Sequence, residues 1–156
     1  MRNRLDDFLT SLLIILMTIM VLSTLLQVLA RYVNWNLPFT EEVTIYAMMW
    51  VTLFGSAYAF GLKKHIAIDA LIAVLNKDSK WKLEILIEAI IALFAVLILI
   101  IGGSWFTFIT FKLGQLSPVI QFPKGFVYTS LPVSGIIILL YNVMNVRSIL
   151  SYNKQA

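Results

Sequence analysis

Residues 8–30 read FLTSLLIILMTIMVLSTLLQVLA, 23 residues without one ionisable side chain. Crossing the hydrocarbon core of a bilayer takes about 20 apolar residues at roughly 1.5 Å of helical rise each, so this stretch is long enough to span. Runs of the same kind recur at 43–62, 89–111 and 125–146, with 20, 23 and 22 residues. None shows the alternating polarity of a barrel strand, and in lipid a segment must satisfy its own backbone, so helices are predicted. The expected fold class is an all-α integral membrane protein of four transmembrane helices, one membrane domain over residues 1–156. The first run ends on Val28-Leu29-Ala30, residues of the kind a signal peptidase cuts after. Cleaved signals carry an apolar core of only about 7–15 residues, so a retained helix is expected here.

The rest of the chain agrees. Hydrophobic residues make up 60% and charged residues 13%, and mean hydropathy is +0.90. Soluble domains carry about 25% charge; this chain has too little to coat a surface in water, which makes lipid its main solvent. There is no cysteine, which excludes disulfides, iron–sulfur ligation and thiolate metal sites. The single histidine, His65, excludes bis-histidine haem ligation within one chain. No cofactor is expected. The net charge of +4 arises from basic residues scattered between the runs, not gathered in a patch, so nucleic-acid binding is not expected.

Nine of the twelve Lys and Arg residues flank the runs on one side, at the N-terminus, the middle connection and the C-terminus; Arg31, Lys112 and Lys124 lie on the other. The positive-inside rule then predicts a bacterial inner membrane protein with both termini cytoplasmic. Within the middle connection Ile68, Leu71, Ile72 and Leu75 form an apolar helical stripe. Residues 66–76 are too short to span. They are expected to form an interfacial amphipathic helix, with Lys63, Lys64, His65 and Asp69 anchoring it at the membrane surface. Continuation of helix two past Lys64 into a tight turn is the alternative.

All eight carboxylates, Asp6, Asp7, Glu41, Glu42, Asp69, Asp78, Glu84 and Glu88, sit at or outside run ends. A midplane proton relay or ion site normally needs such groups, so transport by this chain alone is not expected. Glu84 and Glu88 are read as complementing the dipole at the start of helix three, with Lys80 four residues before Glu84. The loop RYVNWNLPFTEE, residues 31–42, carries the densest polar pattern. Thr40 is expected to cap helix two, with Glu41 and Glu42 in its first turn. An ion pair from Arg31 to Glu42 or Glu41 would close a clasp across the short loop that holds Asn36 and Pro38. Solvated interfacial charges and substrate contact are the other readings.

Gly55, Ser56 and Ala59 make one small-residue face on helix two, suited to close helix packing either inside the chain or with a partner. Trp35, Trp81 and Tyr128 are placed at the interfaces and Trp50 and Trp105 in packing. In the second outer connection, Ser117, Pro118 and Pro123 precede helix four. Pro123 is placed to start that helix, and Pro132, followed by Gly135, to kink it.

The ordered set of motifs resembles the small membrane subunit of tripartite ATP-independent periplasmic (TRAP) transporters. The residues that carry the likeness are Gln27 with Arg31-Tyr32-Val33, Asn36, Pro38, Glu41-Glu42 and Trp50-Val-Thr-Leu-Phe-Gly55; His65-Ile66 with Asp69 and Leu71; and Ser117-Pro118, Pro123, Val127-Tyr128, Pro132 and Gly135. A departure is Thr40, where many members carry an aromatic residue. The resemblance implies a non-catalytic scaffold for a larger multi-helix subunit that holds the substrate and sodium sites. It also implies a periplasmic binding protein delivering an organic acid, of the sialic acid or C4-dicarboxylate class, and docking near Arg31, Glu41 and Glu42. Two other classes compete with it. A redox subunit is disfavoured by the absence of cysteine and the single His65. A self-sufficient homo-oligomeric transporter would need a site built from Gln27, Ser23, Thr24 and backbone carbonyls.

Overall fold

The computed structural model describes residues 2–62 and 77–153, without the side chains of 77–80 and 152–153. The predicted interfacial helix at 66–76, with Lys63, Lys64, His65 and Asp69, lies outside the described residues.

Among these residues the protein is helical. Helix α1 covers Arg2–Tyr32, α2 covers Pro38–Gly61 and α3 covers Lys77–Phe94. The last runs without a break into a π-helical segment, π1, at Ala95–Gly102 and then into α4 at Gly103–Lys112. A short α5 at Lys124–Tyr128 leads into α6 at Ser130–Asn153. Four helical stretches among the described residues are long and apolar enough to cross a membrane: Arg2–Tyr32, Pro38–Gly61, Trp81–Lys112 and Lys124–Ser151. The chain is a multi-pass membrane protein. Each helix is longer than its uncharged run, because α-helix continues beyond the hydrocarbon edge where charged residues meet water and headgroups. Residues 33–37 and 113–123 connect the spans at one end, the loop end. The N-terminus and the end of α6 lie at the other, the terminal end.

Neighbouring spans follow the order first, second, fourth, third: α1 packs on α2, α2 on α6, and α6 on α3 and π1. The apolar core forms where α2, π1 and α6 meet, from Phe54, Ala57, Phe60, Ala95, Leu99, Ile137, Ile138 and Tyr141, with Leu9 of α1 added. Without a hydrophobic drive between helices in lipid, close backbone approach supplies the packing. A Cβ placed on Gly135 would come within 2.8 Å of Leu99 Cβ, and one on Gly103 within 2.7 Å of Leu131 Cβ. These two glycines, one on each helix, let the third and fourth spans touch. The break between α5 and α6 falls at Thr129, one turn before Pro132. Proline has no N–H for the carbonyl of Tyr128 four residues earlier, which loosens that turn.

Candidate functional site

Helix α2 begins earlier than the capping pattern suggests. Pro38 occupies its first turn and Leu37 is the N-cap, with no side-chain cap. Proline suits this position because the N–H it lacks would be unpaired anyway. Thr40 therefore lies inside the first turn and does not cap: its hydroxyl donates to the Leu37 carbonyl at 2.7 Å. With the helix in this phase, Glu41 is exposed and Glu42 is buried.

Glu42 does not pair with Arg31. Its carboxylate receives the N–H of Val119 on Oε1 and of Ile120 on Oε2, both at 2.9 Å, and a hydrogen bond from the Ser117 hydroxyl. Two consecutive N–H groups aimed at one carboxylate make an anion-binding nest, here filled by the protein's own side chain. The connector that offers them is tightly folded. The Ser117 N–H bonds the Phe122 carbonyl at 2.9 Å and the Lys124 N–H that of Gln115 at 3.0 Å. Ser117 Oγ, fully buried, accepts from the Phe122 N–H at 3.2 Å. Gln121 sits in the left-handed region at φ 59° and its amide donates to the Pro118 carbonyl at 3.1 Å. Pro118 is exposed; Pro123 ends the connector as the N-cap of α5. Tyr128 packs edge-on against Phe106 with ring centroids 4.7 Å apart.

Arg31, in the last turn of α1, is exposed, as are Asn36 and Pro38. Among the described residues neither Glu41 nor Glu42 forms an ion pair with Arg31; the pair present is Arg2 with Asp6, at 4.0 Å. Arg31 and Glu41 instead line a shallow cleft of about 160 Å³ together with Gln27, Trp35, Asn36 and Pro38. The expected clasp is thus replaced by two separate features: a buried carboxylate holding the second connector, and an open cleft with one cation and one anion.

The outward side of α2 is a single stripe formed by Glu41, Ile45, Met48, Thr52, Ser56 and Ala59, all exposed. Gly55 borders it, half-buried, with Leu13 of α1 at ordinary contact distance, 3.9 Å from an added Cβ. Ser56 bonds the Leu53 carbonyl at 2.9 Å, so its hydroxyl is satisfied within its own helix. Trp50 packs edge-on against Phe54 at 5.1 Å. Trp105, expected in packing, points outward and is 65% exposed.

The terminal end holds polar ties that the sequence did not suggest. Asp6 accepts a hydrogen bond from the Tyr141 hydroxyl, and the Arg2 guanidinium donates to the Gly61 carbonyl at the end of α2. Asn142 Nδ2 donates to both the carbonyl (2.8 Å) and the carboxylate (2.6 Å) of Glu88. Glu88 is buried and lies eleven residues beyond the start of α3. Dipole complementation fades within the first turn, so it explains neither Glu84 nor Glu88 as predicted; Glu88 is a helix-to-helix tie. Asn145, one turn from Asn142, is fully buried with no hydrogen-bond partner for its amide among the described residues. Two asparagines three apart inside an apolar run were the available signal. Among the described residues no three carboxylate or imidazole side chains gather closely enough to share a metal ion.

The family model described as "Tripartite ATP-independent periplasmic transporters, DctQ component" matches residues 20–151. A Haemophilus influenzae protein provisionally named TRAP transporter small permease protein is 27% identical over 124 residues, 79% of this chain and 75% of its own. The C4-dicarboxylate TRAP transporter small permease protein of Rhodobacter capsulatus is 28% identical over 100 residues, 64% of this chain. That match spans 44% of the Rhodobacter protein, less than half its length.

Proposed function

This chain belongs to the family of DctQ components of tripartite ATP-independent periplasmic transporters, and from that premise we propose that it is the non-catalytic scaffold for a large multi-helix membrane subunit. Three carboxylates of the spans support this reading, because they are used to hold the fold. Glu42 binds a connector, Glu88 meets Asn142, and Asp6 meets Tyr141. Groups committed in this way do not offer a coupled-ion site at midplane. The large subunit would then supply the sodium and substrate sites.

Thr52, Ser56 and Ala59 on the outward stripe of α2, with Gly55 at its border, are the proposed seat of the large subunit. Small side chains there let a partner helix approach closely. The cleft lined by Arg31, Asn36, Pro38 and Glu41 is the proposed contact for a soluble binding protein. That assignment places the loop end in the periplasm and both termini in the cytoplasm of a bacterial inner membrane, as the charge distribution favours. Lys63, Lys64, His65 and Asp69 would lie at the cytoplasmic membrane surface. The cargo class is an organic acid; the Rhodobacter relative's name puts C4-dicarboxylates first among those to test, ahead of sialic acids.

The test is sodium-gradient-driven uptake into liposomes of radiolabelled C4-dicarboxylates and sialic acids. Vesicles with this chain alone are compared with vesicles holding the chain, its large subunit and the binding protein. Uptake requiring all three components is expected. Uptake by this chain alone would overturn the scaffold reading and turn attention to Gln27 in the cleft.

A further inference from the structure

The connector at 113–123 is built unlike a loop that faces water. Such loops leave N–H groups to solvent and present polar side chains. Here the N–H groups of Leu113, Gly114, Gln115, Ser117 and Lys124 all bond backbone carbonyls. The Phe122 N–H bonds Ser117 Oγ, and those of Val119 and Ile120 bond Glu42. Pro118 and Pro123 have no N–H to satisfy. Most of the side chains that turn outward are apolar: Leu113, Leu116, Val119, Ile120 and Phe122 are between 41% and 65% exposed, with Gln115 and Gln121 the exposed polar side chains beside them. Among the described residues only the N–H groups of Leu116 and Gln121 are left without a bond in this connector, and a backbone that satisfies most of its donors beneath apolar side chains suits surroundings poor in water.

Two further observations identify those surroundings. Phe122 packs on Phe126 at 5.5 Å and Phe126 on Phe111 at 5.1 Å, and all three rings are exposed. The tip therefore continues the outward apolar flank of the third and fourth spans. Lys112 and Lys124 bracket the connector, and residues 112–124 contain no carboxylate. Paired cations around an apolar tip complement lipid phosphates and acyl chains.

We propose that residues 113–123 form an interfacial anchor seated in the leaflet at the loop end. Val119, Ile120 and Phe122 enter the boundary between headgroups and acyl chains, and Lys112 and Lys124 stand at phosphate level. Glu42 is the positioning residue, because it takes up the two backbone donors that would otherwise hold the tip in water. The proposal is independent of the large subunit and of the cargo.

The chain has no cysteine, so single spin labels can be placed without background. The full-length chain carrying Val119→Cys, Ile120→Cys or, as reference, Asn36→Cys is reconstituted in nanodiscs of phosphatidylethanolamine and phosphatidylglycerol. Collision with lipid-soluble oxygen is compared with collision with an aqueous nickel chelate. The oxygen-to-nickel ratio at positions 119 and 120 is expected to exceed that at position 36 several-fold. A nickel-dominated signal at both positions would overturn the anchor and point to a protein partner on this surface. Adding Glu42→Leu to the Ile120→Cys chain is expected to raise nickel access several-fold; unchanged access would remove Glu42 from the proposal. If that double variant does not fold, the labels in the otherwise native chain still decide.

Discussion

The first and last helices solve opposite problems with similar lengths of chain. Helix α1 buries only Leu9 and Ala30, and none of its most apolar 18-residue window is buried inside the protein. In the fourth span, Lys124–Ser151, 44% of the corresponding window is buried. The buried face of α6 includes Ser130, Ser134, Tyr141, Asn142 and Asn145 alongside Ile137, Ile138 and Ile149. The more apolar helix is the one turned outward. In water the order would be reversed, since burial there is driven by removing apolar surface from solvent. In lipid that drive between helices is absent, and small or hydrogen-bonding residues decide which helix occupies the centre. The contrast identifies α1 as the outer edge of the bundle and α6 as its structural axis.

The strongest way to break this contrast is to fill the closest contact on the axis. Gly135→Leu would drive a side chain into Leu99 Cβ and Ile100 Cγ1, already 2.8 and 2.9 Å from an added Cβ. Overpacking of this kind costs about 1–3 kcal/mol and occasionally more. We expect most of the folded protein to be lost, read as the monodisperse fraction after extraction in mild detergent. Leu25→Ala on α1, where the side chain is 53% exposed, should change stability by less than about 0.5 kcal/mol. Equal losses in the two variants would mean that α1 is covered by protein and that the edge assignment is wrong.

Next in size is Asn142→Leu. The substitution removes two hydrogen bonds to Glu88 inside the α3–α6 contact. Interhelical hydrogen bonds in membranes are worth about 0.6 kcal/mol on average and at most about 1.7 kcal/mol. With a carboxylate as one acceptor, a destabilisation near the upper figure is expected, measured by denaturant titration in mixed micelles. A cycle with Glu88→Ala then tests the side-chain bond: if the two effects simply add, that bond contributes nothing.

Much of this architecture was legible because membranes impose length and polarity locally. Four uncharged runs marked four spans, and each helix contains its run except for Leu62 at the end of the second and the turn at Thr129 in the fourth. What sequence reasoning could not reach were contacts between distant segments. Glu42, with Glu41, was offered as a partner for Arg31 across the loop, whereas its acceptor atoms serve N–H groups 77 and 78 residues away. Backbone donors have no residue code, so Val119 and Ile120 carry no sign that they bind a carboxylate. Glu88 stood at the edge of an uncharged run and was read as complementing the helix dipole, because Asn142, 54 residues on, gives no charge signal. The onset of α2 was misjudged for a simpler reason. Thr40 offered a cap by type, but Pro38 had already begun the helix, and proline in the first turn was the better local signal.

The smallest expected effect on the axis sharpens the contrast most, because its sign differs. Asn145 is fully buried on α6, and neither atom of its amide has a partner among the described residues. A buried polar group without a hydrogen bond costs free energy, whereas an apolar group of similar shape in its place does not. Asn145→Leu should therefore stabilise the detergent-solubilised chain by about 1 kcal/mol or less, although it changes the same helix face that Asn142→Leu weakens. A gain at 145 beside a loss at 142 would mean that polarity on the axis helps only where it is paired. A loss at both positions would mean that the Asn145 amide has a partner within the folded chain, and the axis would then owe its place to more hydrogen bonds than the Glu88 tie alone.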